Sequence, residues 1–509
     1  MKELQNFIYI IHILCYDMYN NYIRRLVMKA KKSTAFILAL LAVILQFTAC
    51  TESGTEESSA GGARSEAENV METEIEADDP VPEITNYNGH DFRIASSEYT
   101  YFHDADEVTG ERLSDAIYER NLKVEDFYNI TVTCSDYGFP DIQSVLVKNV
   151  QAGDDFADAV GYPITALVSD AYANKNYFYN LNDLDKIDLD MPWWDDAYTS
   201  AVSVNGYCPS LTGNAIITDD MCMNCIVFNS TMFKNHYPGE SLYQHAIDGT
   251  WTIDKMQEYS AKATVDLDGN GKINFKDQIG FNSTSGSMVL FIYGFGYDPL
   301  IFDGSNIPTP NTGEQLYVFY QRALELMKDK NVVMQEAMPR AYDGAFDGFM
   351  EDRAMFFETN MTQVYNRLRE MESDYGVMPF PKFDENQKEY YTQVSIWAEA
   401  LAIPGSVSDA ERSADILTAL AYYGDELHEV VNDDILSSKI AREEAFADAM
   451  KILMDSKFYS IDAMVNLTGI STILNDMSSS GGDMFYSKWE RVNQSALANI
   501  EKFFSDTDE

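Results

Sequence analysis

Residues 110–134, GERLSDAIYERNLKVEDFYNITVTC, carry the pattern that decides the fold. Leu113, Ile117, Val124 and Phe127 recur at helical spacing and make one apolar face, so a helix is predicted over 110–128. The chain then passes into Ile130-Thr-Val-Thr-Cys134, a short β-branched run that reads as a strand. Working outward, Asp91-Phe-Arg-Ile-Ala95 is a strand before that helix. Residues 142–151 form a second helix, and residues 157–162, ADAVGY, a third strand ending at Pro163. This β-α-β-α-β order predicts a mostly parallel sheet with helices on both faces. Ligands of such sheets sit beyond the carboxyl ends of the strands. That rule points to Ser96-Ser97-Glu98-Tyr99, with Tyr101 close behind, and to Gly161-Tyr162-Pro163.

Upstream, residues 28–50 read MKAKKSTAFILALLAVILQFTAC. Three lysines, a short apolar run and small residues before Cys50 have the layout of a secretory signal peptide, with an apolar core too short for a comfortable membrane span. A cysteine directly after small residues resembles a bacterial lipobox, which makes Cys50 the expected lipid-bearing first residue of the mature protein. Residues 1–27 fit poorly in front of such a signal and are expected to reflect a translation start placed upstream of the true one at Met28. Residues 50–85 follow as a tether rich in Glu, Ser, Gly and Ala. Such a segment buries too little apolar surface to offset its ordering entropy.

The whole 509-residue chain carries a formal charge of −46, which argues against nucleic acid and anionic headgroups as partners. The 32 tyrosines in so acidic a chain suit sugars, whose C–H faces stack on rings while carboxylates accept hydroxyl protons; they also suit an ordinary core. Cys222 and Cys225 form a C-x-x-C in a stretch, Asp220–Asn229, that reads as a buried strand. With no second C-x-x-C nearby, the pair reads as small buried side chains.

Residues 266–277, DLDGNGKINFKD, are the sharpest chemical motif. Oxygen-bearing side chains fall at loop positions 1, 3, 5, 9 and 12 (Asp266, Asp268, Asn270, Asn274, Asp277). Gly271 stands at position 6, and Lys272 offers its backbone carbonyl at position 7. This is the spacing of a calcium-binding loop, with Asp277 where Glu is usual, and a structural Ca2+ is expected. The alternative is an acidic turn between a helix (254–263) and a strand at Gly280-Phe281.

Several pieces in order resemble the extracellular solute-binding proteins of bacterial ABC importers, family 1, the carbohydrate type. They are Gly249-Thr-Trp251-Thr-Ile-Asp254 opening a helix, the Asp/Asn-Gly-Lys loop running to Gln278-Ile279-Gly280, and Ala345–Phe356. Tyr375-Gly-Val-Met-Pro379-Phe-Pro381 and Ala400-Leu-Ala-Ile403-Pro404 before a helix near Asp409 complete the set. Asn180–Leu184 and Pro192-Trp193-Trp194-Asp195 look like the larger members. The resemblance implies an α/β, two-lobed, periplasmic-binding-protein-like (type II) clamshell with crossing hinge strands. It implies lobe 1 from 86–220 plus about 398–440, and lobe 2 from about 221–397 plus about 441–509. The implied function is a monomeric, lipid-anchored subunit on the outer face of the cell membrane. It would capture a sugar, expected to be an oligosaccharide, and deliver it to permease subunits of an ABC importer.

The candidate ligand-binding residues are Trp397, Trp193 and Trp194 as aromatic platforms, Glu98 and Tyr99 after the first strand, and Asp219 and Asp220 where the chain crosses between lobes. Trp251 is assigned to packing. The rival function is a surface-anchored glycoside hydrolase with paired carboxylates. No H-E-x-x-H or G-x-S-x-G occurs, and the six histidines are scattered. A calcium-stiffened adhesion module is a third alternative, against which stands the lack of an internal repeat.

Overall fold

The computed structural model describes residues 82–505 apart from 98, 106, 275, 284–285, 304–306, 335–340, 438–444 and 481–483. The expected signal peptide, Cys50, nearly all of the tether and Glu98 therefore lie outside the described residues. The strands in chain order are β1 (His90–Ser96), β2 (Ile130–Asp136), β3 (Ala159–Pro163), β4 (Asn224–Asn229), β5 (Ile279–Ser283), β6 (Leu300–Ile301) and β7 (Thr309–Pro310). They continue with β8 (Val332–Met334), β9 (Ala354–Asn360), β10 (Tyr375–Met378), β11 (Thr392–Gln393), β12 (Glu399–Ala402) and β13 (Lys457–Phe458).

Two sheets organise the body, and each anchors one lobe of a two-lobed α/β fold. The first has the order β12-β3-β1-β2 and the second β10-β4-β9-β5-β8. In the first, β1 runs parallel to both β2 and β3, placing Phe92 beside Val132 and Ile94 beside Ala159. The helix predicted over 110–128 forms at Arg112–Tyr128, capped by Glu111, whose carboxylate accepts the Ser114 N–H, and ended by Asn129 in the left-handed region (φ 51°). Leu113, Ile117 and Val124 are buried as expected. Phe127 is only half-buried, because Tyr128 continues the inward stripe and donates its hydroxyl to Asp415.

The expectation of a mostly parallel sheet holds for β1, β2 and β3, and fails for β12, which runs antiparallel to β3. In the second sheet β5 is parallel to β8 and β9, whereas β4 is antiparallel to β9 and β10. Both exceptions have one cause. β4 and β12 are the strands that follow a crossing from the other lobe. A chain arriving at the carboxyl edge of a sheet must run back against the strands that end there.

Three crossing segments lie side by side. Met223 bridges Val394, the Ser395 N–H donates to the Cys222 carbonyl at 2.9 Å, and β11 pairs with β13 in parallel. Beyond the second crossing, Asp409 caps the helix Ala410–Tyr422. The tail interleaves the lobes, where the sequence reading assigned it wholly to the second. The helix Phe446–Asp455 packs on β10, but Ile461–Val465 packs on Ile164–Ala173 of the first lobe, and Phe503 stacks on Tyr172. The C-x-x-C is also not on one strand. Residues Thr218–Met221 form a short helical turn and β4 begins at Asn224, leaving Cys222 in the crossing and Cys225 on the strand, both buried and free.

Candidate functional site

Carboxyl ends of strands from both sheets meet at the crossing. β1 ends at Ser96, β3 at Pro163, β5 at Ser283 and β9 at Asn360, and Trp397 precedes β12 at the end of β3. A cavity of about 560 Å³ opens there. Its walls carry Trp397, Tyr293 and five amide side chains: Asn224, Asn360, Gln363, Gln393 and Asn475. Trp397 is 50 % exposed and stands edge-on to Phe139, ring centroids 5.9 Å apart. Asn360 is fixed by its own backbone role, capping the helix Met361–Asn366 by accepting the Gln363 N–H. Glu358, two residues earlier on β9, lines the same cavity and accepts the Ser287 hydroxyl.

A second cavity of about 520 Å³ lies on the other side of that helix, lined by Tyr101, Asp104 and Glu111 of the first lobe and Tyr365 and Arg369 of the second. Across it, the Tyr365 hydroxyl donates to Glu111 at 3.2 Å. In the first crossing Cys222 Sγ lies 3.4 Å from the Tyr99 hydroxyl and 3.9 Å from that of Thr362.

The turn Thr100–Phe102, which walls the second cavity, is flanked by two residues held by one buried carboxylate. Glu399 accepts the Ser96 hydroxyl at 2.9 Å and lies 2.7 Å from His103 Nε2. Its side chain occupies the space beside Gly161. A Cβ at that position would lie 2.1 Å from the carboxylate, so only glycine fits. The Glu399 carbonyl also accepts the hydroxyl of Thr218 from the first crossing.

The predicted site residues separate cleanly. Trp397 lines the larger cavity. Tyr99 lines neither cavity; it is half-buried and stacked on Phe102, next to Thr100 of the second cavity's wall. Trp193 and Trp194 were expected as an exposed aromatic pair and are instead 3 % and 4 % exposed, with Trp193 packed edge-on against Tyr422. The reason is the turn they make: the Trp193 carbonyl accepts the Asn214 N–H, and Trp194 bridges Gly213, so both rings face the core. Asp219 and Asp220 line neither large cavity; Lys457 and His428 engage them. Trp251 is buried and donates its indole N–H to the Pro379 carbonyl, a packing residue as expected.

The amides and Glu358 escaped the sequence reading. The available signal was positional: Glu358-Thr-Asn360 directly follows the apolar run 354–357, at the carboxyl end where ligands of such sheets bind.

The Lys457 ammonium meets three carboxylates. It lies 3.2 Å from Asp195 and 2.7 Å from Asp219, and pairs with Asp220, whose other oxygen lies 2.7 Å from His428 Nδ1. Burial pushes the Asp219 carboxyl up to about 7, with Lys457 opposing and Asp220 and Asp195 adding to the rise. Burial also acts to raise Asp220, but Lys457 and His428 outweigh it and hold that carboxyl below the usual range.

In the loop 266–277, carboxylate oxygens of Asp266, Asp268 and Asp277 lie within 4.8 Å of one another. Asp266 accepts the N–H groups of Gly271, Gly269 and Asn270, which hold its carboxyl below the usual range. Buried Asp277 accepts from Leu267 and Asn274. Val265 and Gln278 close the stem with two backbone hydrogen bonds. Hard oxygen donors converging from one short loop fit calcium. The loop enters β5 at its amino end, whereas the cavities lie at the carboxyl ends.

Among the described residues no helix is long and apolar enough to cross a membrane. Solved structures share the fold at low identity. The maltose/maltodextrin-binding domain MalE from Bdellovibrio bacteriovorus, bound to maltotriose, is 16 % identical with a TM-score of 0.50, over 81 % of this chain and 99 % of that one. The maltose-binding periplasmic protein MalE from Listeria monocytogenes, in complex with maltose, is 10 % identical with a TM-score of 0.53, over 81 % and 98 %. The ABC transporter associated binding protein from B. animalis subsp. lactis, in complex with β-1,6-galactobiose, is 14 % identical with a TM-score of 0.52, over 81 % and 99 %. No curated protein sequence matches. Residues 121–423, from within the first long helix to the end of the helix after β12, match the family model, and the chain belongs to the bacterial extracellular solute-binding proteins.

Proposed function

We propose that this solute-binding protein captures a carbohydrate, an oligosaccharide, between its lobes and presents it to the permease of an ABC importer. The observation that carries the reading is the larger cavity, where the half-exposed Trp397 and the buried Tyr293 share the walls with five amide side chains. Rings stack on the C–H faces of a sugar, and each amide offers both a donor and an acceptor, matching hydroxyls that are both. The sugars bound by the structurally similar proteins support the same class. Cys50 would carry the lipid and hold the body at the outer face of the membrane by its tether. The hydrolase alternative needs two carboxylates flanking one bond. Among the described residues lining the larger cavity Glu358 is the one carboxylate, so binding is the better supported reading.

The loop 266–277 would hold a calcium ion through Asp266, Asp268, Asn270, Asn274, Asp277 and the Lys272 carbonyl. At the amino end of β5 the ion is a strand's length, about 16 Å, from the cleft edge, so its role is to staple the loop rather than to touch solute. The test is a thermal-shift screen of residues 81–509 against sugars, oligosaccharides, amino acids and peptides. A concentration-dependent rise with one glycan class, and no product on incubation, is expected. No rise with any glycan, or a rise accompanied by cleavage, overturns the reading.

A further inference from the structure

The cluster around Lys457 gathers the places where the chain changes lobe. Asp219 and Asp220 belong to the first crossing, Thr218–Met221, and Lys457 to β13 in the third. His428 lies on the helix Asp425–Ser437, which packs on Arg112–Tyr128 of the first lobe and on Met361–Asn366 of the second. Asp195 caps the first-lobe helix Asp196–Val202, accepting the Tyr198 N–H with one oxygen and both the Tyr459 hydroxyl and Lys457 with the other. The cluster therefore ties two crossings, one bridging helix and one lobe into a single contact.

Its hydrogen bonding is incomplete in two places. Asp219 Oδ1 and His428 Nε2 are buried and have no partner among the described residues. Its charge is also undecided by geometry alone: three carboxylates face one ammonium and one imidazole. Two against two balances only if one carboxyl keeps its proton and the imidazole is charged. Buried charge without a partner is strongly unfavourable, so the proton count sets how firmly the crossings are held.

We propose that this cluster is a pH-sensitive clasp on the hinge. With Asp219 protonated and His428 charged it is electrically balanced and holds the crossing segments together; loss of either proton leaves negative charge in excess between them and loosens the clasp. Asp219 is the carboxyl suited to hold the proton, since its Oδ1 lacks a partner and burial pushes it up to about 7. Burial opposes the charge on His428, but Asp220 outweighs it and raises the imidazole. The remaining neighbours do not titrate nearby: the Tyr459 hydroxyl is raised well above its usual range, chiefly by burial, and burial pushes the Cys222 thiol up to about 11. Opening frees both titrating groups toward their ordinary values, so the clasped state binds more protons. It is therefore firm in acid and weakens as pH rises through neutrality.

Amide hydrogen exchange tests this without any solute. In the purified protein each amide is referred to its own intrinsic rate, between about pH 4.5 and about pH 8.5, a range that starts near the ordinary value of a free aspartate and runs past the ordinary value of histidine. Protection at 221–224, 393–395 and 457–459 is expected to fall, by up to about tenfold per pH unit for each proton released. Protection of Phe92–Ile94 in β1 should stay level. Asp219→Asn, a stand-in for the protonated carboxyl, should flatten most of the fall, and His428→Gln should remove the rest. A level profile at the crossings of the unaltered protein overturns the proposal, as does a fall shared equally with β1. So does a slope unchanged in both variants. If a variant does not fold, the contrast between crossings and β1 in the unaltered protein still decides.

Discussion

Two sets of three aspartates in this protein meet the same difficulty in opposite ways. Asp266, Asp268 and Asp277 come from a twelve-residue loop at the surface, with backbone N–H groups as their own support. Asp195, Asp219 and Asp220 converge in the interior at the crossing of the lobes and are met by Lys457 and His428, more than 200 residues away in sequence. Like charges brought within a few ångströms need a countercharge. The surface loop can draw that countercharge from solution as a divalent ion. The interior cluster has to bring its own, and the strength of each arrangement should differ accordingly.

The largest effect should come from removing the internal cation. Lys457→Met leaves the aspartates buried without it, and a loss of about 3–5 kcal/mol is expected in chemical denaturation, as for other buried pairs broken from one side. Adding Asp219→Asn should recover part of that loss; no recovery would mean the lysine acts through packing.

At the surface loop, calcium at a hundredfold excess over its dissociation constant should stabilise the protein by about 2.7 kcal/mol, read as a rise in melting temperature reversed by chelator. Asp266→Asn should abolish the response. A response retained in Asp266→Asn would place the ion elsewhere.

The cleft should respond less than either cluster. Trp397→Ala should weaken glycan binding about tenfold, roughly 1.4 kcal/mol, with little change in melting temperature, because half of the ring is already in water. Unchanged affinity would remove Trp397 from the site. The smallest effect is expected from Tyr365→Phe. It deletes one hydrogen bond to an exposed carboxylate, and a change below about 1 kcal/mol should follow in denaturation.

The same contrast explains what could be read in advance. Motifs local in sequence were legible: the helix Arg112–Tyr128, the loop 266–277 and the ordered pieces that resemble solute-binding proteins. Tryptophans were not separable by type. Trp193-Trp194 and Trp397 look alike as exposed platforms on paper, and the turn that pairs Trp194 with Gly213 sends two of them into the core. Nor could the amides of the larger cavity be singled out, since Asn224 and Gln393 belong to different crossings that only the folded chain brings together.

By itself, then, the amino-acid order determined the α/β rhythm, the family resemblance and the spacing of the surface loop. In each case the interacting residues are neighbours along the chain, so their periodicity is their geometry. The tertiary structure alone decided that Lys457 and His428 pair with Asp219 and Asp220, that β4 and β12 run against their sheets, and that Glu399 ties Ser96 to His103. Those outcomes depend on contacts between distant segments. The energy of a carboxylate is set by what surrounds it after burial, which no local pattern records.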